Sequence, residues 1–163
     1  LSEADLTEAN VARASFSMAT MIGANLNSAS GNRADFSKAD MAGANLTGGD
    51  LQLANFFEAN LTRARLGRTK LNKADMNRAN LSGAVLAEAD LTGADLSGAR
   101  LIHADFTKAT LKGVDFTGAD VNGAKFEGAD FSGAQIKQTD LSKAHIAGSS
   151  LNPNARPALP EMR

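Results

Sequence analysis

A period of five residues governs this chain from Leu1 to Leu151 and decides what it can fold into. Every fifth residue is apolar, beginning Leu1, Leu6, Val11, Phe16, Met21 and Leu26, with Gly31 as the one exception. Two residues before each stands Ala, replaced only by Gly49, Thr69, Val114, Thr139 and Ser149. Asp or Asn commonly lies between the two, so the unit reads A-[D/N]-[L/F]-x-x.

Such a period excludes a helix, because five residues advance by about 500° and would spiral the large side chains around every face. An uninterrupted strand fails as well, since an odd period sends alternate large residues to opposite faces. The chain must therefore bend once per pentad. Within a pentad the Ala and the large residue share a face, and a turn at the x-x pair absorbs the extra residue before the next Ala. Short extended segments joined by frequent bends, each sending one small and one large side chain inward, describe a solenoid. The x-x pair suits a turn, with Ser, Thr and Asn common first and Gly, Lys, Arg or Glu second. Type II turns are expected where Gly83, Gly93, Gly98, Gly113, Gly118, Gly123, Gly128 and Gly133 hold the second position. More varied turns are expected at Arg63, Arg68, Lys73 and Arg78.

Phe16, Phe36, Phe56 and Phe116 agree modulo 20, and Phe106 and Phe126 form a second such pair. A coil of 20 residues would stack them at about 4.8 Å, as a four-sided tube requires.

The run A-D-L-T-G-A-D-L-S-G-A from Ala89 to Ala99, with the register from Leu1 to Leu151, resembles the pentapeptide-repeat family. The resemblance implies an all-β, right-handed quadrilateral β-helix of about 7.5 coils, roughly 36 Å long at the usual strand spacing. The repeat domain is expected over 1–151. Residues 152–163, which carry three prolines, form a tail in which Leu159 and Met162 could cover the last coil. Family members share the tube and differ in what it binds.

Composition narrows the chemistry. There is no Cys, so disulfides, thiol nucleophiles and thiolate metal sites are excluded. Lys and Arg total 17 against 18 Asp and Glu, a net charge of −1 that gives no global field for nucleic acid or anionic membrane. No window approaches the roughly 18 apolar residues of a membrane span, and a soluble protein is expected. Because the chain starts at Leu1 inside the repeat, it reads as a processed form, a trimmed form or a piece of a longer chain. The compartment stays open between the cytoplasm and, after loss of a targeting segment, a lumen or periplasm.

Asp75, Asp95 and Asp115 would share one column of such a tube, and Asp120 and Asp140 a neighbouring one. Carboxylate ladders can serve acid–base chemistry, Ca²⁺ or DNA mimicry, but this position carries Asp, Asn, Ser or Thr along the chain, as residues bonding the backbone at bends would. His103 and His145 fall on different sides and cannot share a metal. No nucleophile elbow, P-loop, HExxH or EF-hand loop occurs, and the sequons at Asn45, Asn60 and Asn80 arise automatically from the repeat. No enzyme, no cofactor and no metal site are expected.

Two surface features remain. Arg63, Arg65, Arg68, Lys70, Lys73 and Arg78 form a candidate basic belt about one coil long, suited to phosphate or an acidic partner. Met18, Ile22, Leu53 and Phe57 form a candidate partner patch of outward apolar residues, with Ile102 a further one. Gly31 removes an inward side chain and would mark a bulge or dent. The function expected is a non-catalytic binding or scaffolding module with a protein partner and no nucleic acid or membrane, able to dimerise end to end. The alternative is a DNA-mimicking regulator of a type II topoisomerase such as gyrase, like the family's quinolone-resistance members. No side of the proposed tube sums to the strongly acidic stripe those members present.

Overall fold

A computed structural model describes residues 1–151; the tail at 152–163, with Leu159 and Met162, lies outside the described residues. The described chain is a β-solenoid built from pentads. The bridging residue is the side position held by Asp or Asn in the repeat, in every pentad but those ending at Asp140 and Ser150, and every bridge is parallel and joins residue i to residue i+20, from Asp5 with Asn25 to Lys125 with His145. No helix among the described residues is long and apolar enough to cross a membrane.

The hydrogen bonds explain why the repeat has five residues. Four of the five amides in an inner pentad have backbone partners. Phe36 N–H and Lys38 N–H donate to the next coil, at Asn55 O and Phe57 O. Asp40 N–H donates to the preceding coil at Ala19 O, and Ala39 N–H closes the corner onto Phe36 O at 3.1 Å. The fifth amide, on the first corner residue, never donates to backbone. Where Asp or Asn holds the side position two residues earlier, its side chain closes this amide. All 18 Asp and Asn residues at that position accept it through Oδ1, at 2.8 to 3.4 Å. An outward amide would otherwise depend on water, and a short polar side chain two residues back is the local solution. The Asp columns at 75, 95, 115 and at 120, 140 are built of such caps.

Every corner but one has the same form. The second corner residue has positive φ at 17 non-glycine and 12 glycine positions, while the first does not, which is the signature of a type II turn. The expectation of varied turns at Arg63, Arg68, Lys73 and Arg78 is therefore corrected: their φ values are 57°, 57°, 56° and 56°. The reason is cooperative. The amide of each of these residues donates to the next coil, Arg63 to Ser82 O and Arg68 to Ala87 O, both at 3.0 Å, so the ladder imposes the left-handed conformation that propensity resists. The exception is Lys143, absent from the positive-φ set, where Gly123 N–H bonds to Lys143 O instead of the first corner residue.

The inward residues fill the tube. Phe16, Phe36 and Phe56 stack at 5.2 and 5.0 Å with interplanar angles of 6° and 10°, and Phe106 lies 5.1 Å from Phe126, so rings 20 residues apart are neighbours. Leu66 and Phe116 are buried, at 0% and 1% exposure. Gly31 marks no bulge. Its amide bonds to Asp50 O at 2.8 Å within an unbroken ladder, and Leu51 Cδ2 takes the room, 2.6 Å from where a Cβ would stand. The β-branched occupants of the small slot strain the corner slightly. Thr69, Val114 and Thr139 have turn bonds of 3.3, 3.3 and 3.2 Å, where the others are 2.8 to 3.1 Å.

Candidate functional site

The register distributes the predicted surface residues over the corners. Met18 and Phe57 belong to one corner, two coils apart, with Ser37 and Lys38 between them. Leu53 lies on the preceding corner and Ile22 on the following one. Met18 is 74% exposed, Ile22 44% and Leu53 41%, whereas Phe57 is half-buried with Lys38 Nζ 6.0 Å from its ring centre. On the same corner Glu58 accepts both Lys38 at 3.8 Å and Arg78 at 3.7 Å, so a short column of alternating charge separates the apolar side chains. Such exposed pairs add little stability.

Arg63, Arg68, Lys73 and Arg78 take one successive corner each, and Arg65 and Lys70 point out from the two sides between the first three. At the corners their stems lie against glycines of the next coil: a Cβ on Gly83 would stand 3.5 Å from Arg63 Cγ, one on Gly93 3.5 Å from Lys73 Cγ, and one on Gly98 3.4 Å from Arg78 Cγ. Aliphatic stems laid over backbone keep the charged heads in water.

Arg68 departs from this pattern, because the next coil offers it Glu88 instead of glycine. Its Nε donates to Glu88 Oε2 at 3.0 Å, which holds the Glu88 carboxyl below its ordinary range and raises the guanidinium. Beside this pair lies a shallow open depression of about 220 Å³, lined by Thr47, Arg65, Gly67, Arg68, Val85, Ala87 and Glu88. The depression was not legible from the sequence. Its signal was the replacement of the repeat's Asp or Asn by Arg65 and Val85 in successive coils.

His103 and His145 are set apart, His103 on a corner over Gly123 and His145 bridged to Lys125. Among the described residues, no group of three or more His, Asp or Glu is placed to hold a metal ion.

The family model for pentapeptide repeats matches in eight copies, over residues 1–30, 21–57, 34–72, 50–86, 59–98 and 111–148. No curated protein sequence matches the chain. Among solved structures, a trypsin-treated variant of QnrB1, a plasmid-mediated fluoroquinolone resistance protein, superimposes with a TM-score of 0.83 at 18% identity, over 96% of this chain and 84% of that one. Full-length QnrB1 gives a TM-score of 0.55 at 22% identity, covering 92% and 85%. The pentapeptide-repeat protein Rfr23 from the cyanobacterium Cyanothece 51142 is 30% identical over 58% of this chain and 61% of its own, with a TM-score of 0.49. The repeat, its i to i+20 ladder and the family match agree, and the chain belongs to the pentapeptide-repeat family.

Proposed function

We propose that this protein is a non-catalytic binding or scaffolding module: one right-handed quadrilateral β-helix of about 7.5 coils that presents its sides and corners to a protein partner and can associate with a second copy through a rod end. The observation that carries the reading is the use made of its acids. A carboxylate committed through Oδ1 to a corner amide is occupied structurally, and this holds at every Asp of the side columns. General acid–base work would need one carboxylate set apart from its repeats. What varies along the rod is surface charge and shape, the currency of recognition. The test is in-cell cross-linking followed by reconstitution with the purified candidate. A defined complex of fixed stoichiometry supports the module, and turnover of a substrate by the rod alone would overturn it.

A second reading, a DNA-mimicking regulator of a type II topoisomerase, is favoured by the column of Asp75, Asp95 and Asp115 in successive coils. The likeness to QnrB1 supports a shared fold and goes no further. Against it, Arg78, Lys112 and Lys137 hold corner positions beside that column. A supercoiling assay with purified gyrase separates the two readings, and the module predicts no inhibition at micromolar protein.

A further inference from the structure

An ordinary corner closes its outward amide with its own Asp or Asn. The closure is absent wherever another residue type takes that position, and on one corner it is missing in two successive coils at 65 and 85, as it is again at 125 and 145. Arg65 and Val85 replace the capping residue, and neither Gly67 N–H nor Ala87 N–H has a partner among the described residues. The coils on either side are closed, Thr47 N–H by Asn45 at 3.2 Å and Thr107 N–H by Asp105 at 2.9 Å. Gly67 and Ala87 both line the depression, together with Arg65 and Arg68.

Gly67 is required neither by its turn nor by its packing. It holds the first corner position, where φ is ordinary and where Thr7, Thr47 and Thr107 stand in the same column. A Cβ there would meet only Ala87 O, at 3.6 Å. What the glycine does is leave the floor open. Two backbone donors one coil apart, with guanidinium groups beside them, are the donor set that binds an oxyanion.

We propose that this depression binds a carboxylate side chain from an acidic segment of a protein partner, an assignment that rests on the binding-module reading and gives that module a partner chemistry. Charge complementarity favours this occupant. Within residues 22–28, 42–48, 62–68 and 82–88, which stack on one side and its corners, the only charges are Arg63, Arg65, Arg68 and Glu88. The cations therefore follow the coil around the rod. A nucleic-acid strand running along the rod would meet a single set of arginines and no aromatic platform. A small free anion would gain little here, because the site is open and Arg68 is 74% exposed. A peptide adds contacts with Val85, Ala87 and Thr47.

The experiment is an amide NMR titration of the full chain with a synthetic glutamate octapeptide. Parallel arms use its glutamine counterpart, inorganic phosphate and a thymidine oligonucleotide of the same length. The glutamate peptide should move the Gly67 and Ala87 amides saturably, and the other probes should not. Val85→Asn closes the Ala87 amide and Gly67→Thr fills the floor; both keep all arginines and introduce residue types already found in their columns. Each should weaken binding by about tenfold, the scale of one charge-assisted hydrogen bond. Arg65→Asn should abolish it, and Arg100→Asn, on another side, should change nothing. Amides at 67 and 87 that stay still overturn the site, as do Val85→Asn and Gly67→Thr variants that bind like the parent. Equal response to phosphate or to the oligonucleotide overturns the assignment to an acidic protein segment. A partner found on another side of the rod would sink this site and leave the module standing, whereas a rod that meets no partner fails at the module itself.

Discussion

The Thr69 hydroxyl donates to Leu46 O at 2.8 Å, and the same carbonyl accepts Gly49 N–H at 3.1 Å, so one corner oxygen serves its own turn and a side chain of the next coil. Thr139 repeats the arrangement on Phe116 O at 2.6 Å, which also accepts Ala119 N–H. These are the two buried polar residues among the described residues. Each sits in a slot made for Ala, and each lengthens its turn bond. Thr69→Val keeps the crowding and discards the hydroxyl bond, so it should destabilise by about 1 kcal/mol in urea unfolding. Thr69→Ala also relieves the crowding and should stay within about 0.5 kcal/mol of the parent. Equal losses for the two would mean that the hydroxyl bond contributes nothing.

Phe116 and Thr117 are neighbours in sequence and opposites in environment. Phe116 is 1% exposed and packs edge-on to Phe106 at 6.4 Å and Phe126 at 6.0 Å, while Thr117 begins a corner. Phe116→Asp buries an unpaired charge and removes a ring, a loss of more than about 4 kcal/mol. Thr117→Asp should fall within about 0.5 kcal/mol. Similar thermal shifts for the pair would overturn the inward assignment.

What the sequence made legible follows from the same pair. A strict period of five separates Phe116 from Thr117 without any structure, and the recurrence of Phe16, Phe36 and Phe56 at 20 residues predicts the stacks found at 5.2 and 5.0 Å. The corners at Arg63 and Arg68 were misjudged because local propensity was weighed alone, while their amides are held by Ser82 O and Ala87 O one coil away. The depression at Gly67 was missed for a related reason. It depends on what residues 65 and 85 fail to do for 67 and 87, and a pattern read one pentad at a time does not register an absent cap.

Gly43 and Gly123 separate backbone cost from side-chain collision. Both have positive φ, 68° at each, but a Cβ at Gly43 meets nothing within 4 Å, whereas one at Gly123 runs into the His103 ring. Gly43→Ala should therefore cost about 1 kcal/mol through conformation alone. Gly123→Ala should cost more in thermal unfolding, and the excess should vanish in a His103→Ala background. An excess that persists without the imidazole would place the collision elsewhere.

End-to-end association is tested by mass. Toward the last described coil the core opens, from Phe131 at 5% exposure to Ile146 at 38%. An open edge with apolar residues is a template for pairing. Light scattering should give twice the monomer mass for the full chain and a monomer for Ile146→Glu. A monomer for the parent at all concentrations rules the association out.

The last coil should also be the first to respond to acid. Asp130 accepts Ser132 Oγ and Ser132 N–H, with Ser150 and Lys112 adding to them, and its carboxyl is lowered from 3.8 to about 2. Asp140 is lowered in the same direction by Ser142 N–H and its hydroxyl. A carboxyl with a depressed folded-state pKa stabilises the fold above its unfolded value, and that contribution is lost as pH falls through the folded one. For Asp130 the window runs from about pH 4 down to about pH 2. Protonation removes the charge that strengthens the bonds from Ser132 and the attraction of Lys112 Nζ, 3.4 Å from Oδ2. Carboxyl NMR should find Asp130 still ionised at pH 3. Hydrogen exchange should show the amides of Ser132 and Phe131 losing protection across the same window, the latter because Ser150 Oγ accepts Phe131 N–H at 2.6 Å while its hydroxyl donates to Asp130. Asp130→Asn keeps an amide oxygen for the cap but cannot titrate, so its protection should be independent of pH between 4 and 2. An acid transition of the same size in that variant would assign the effect to another carboxylate.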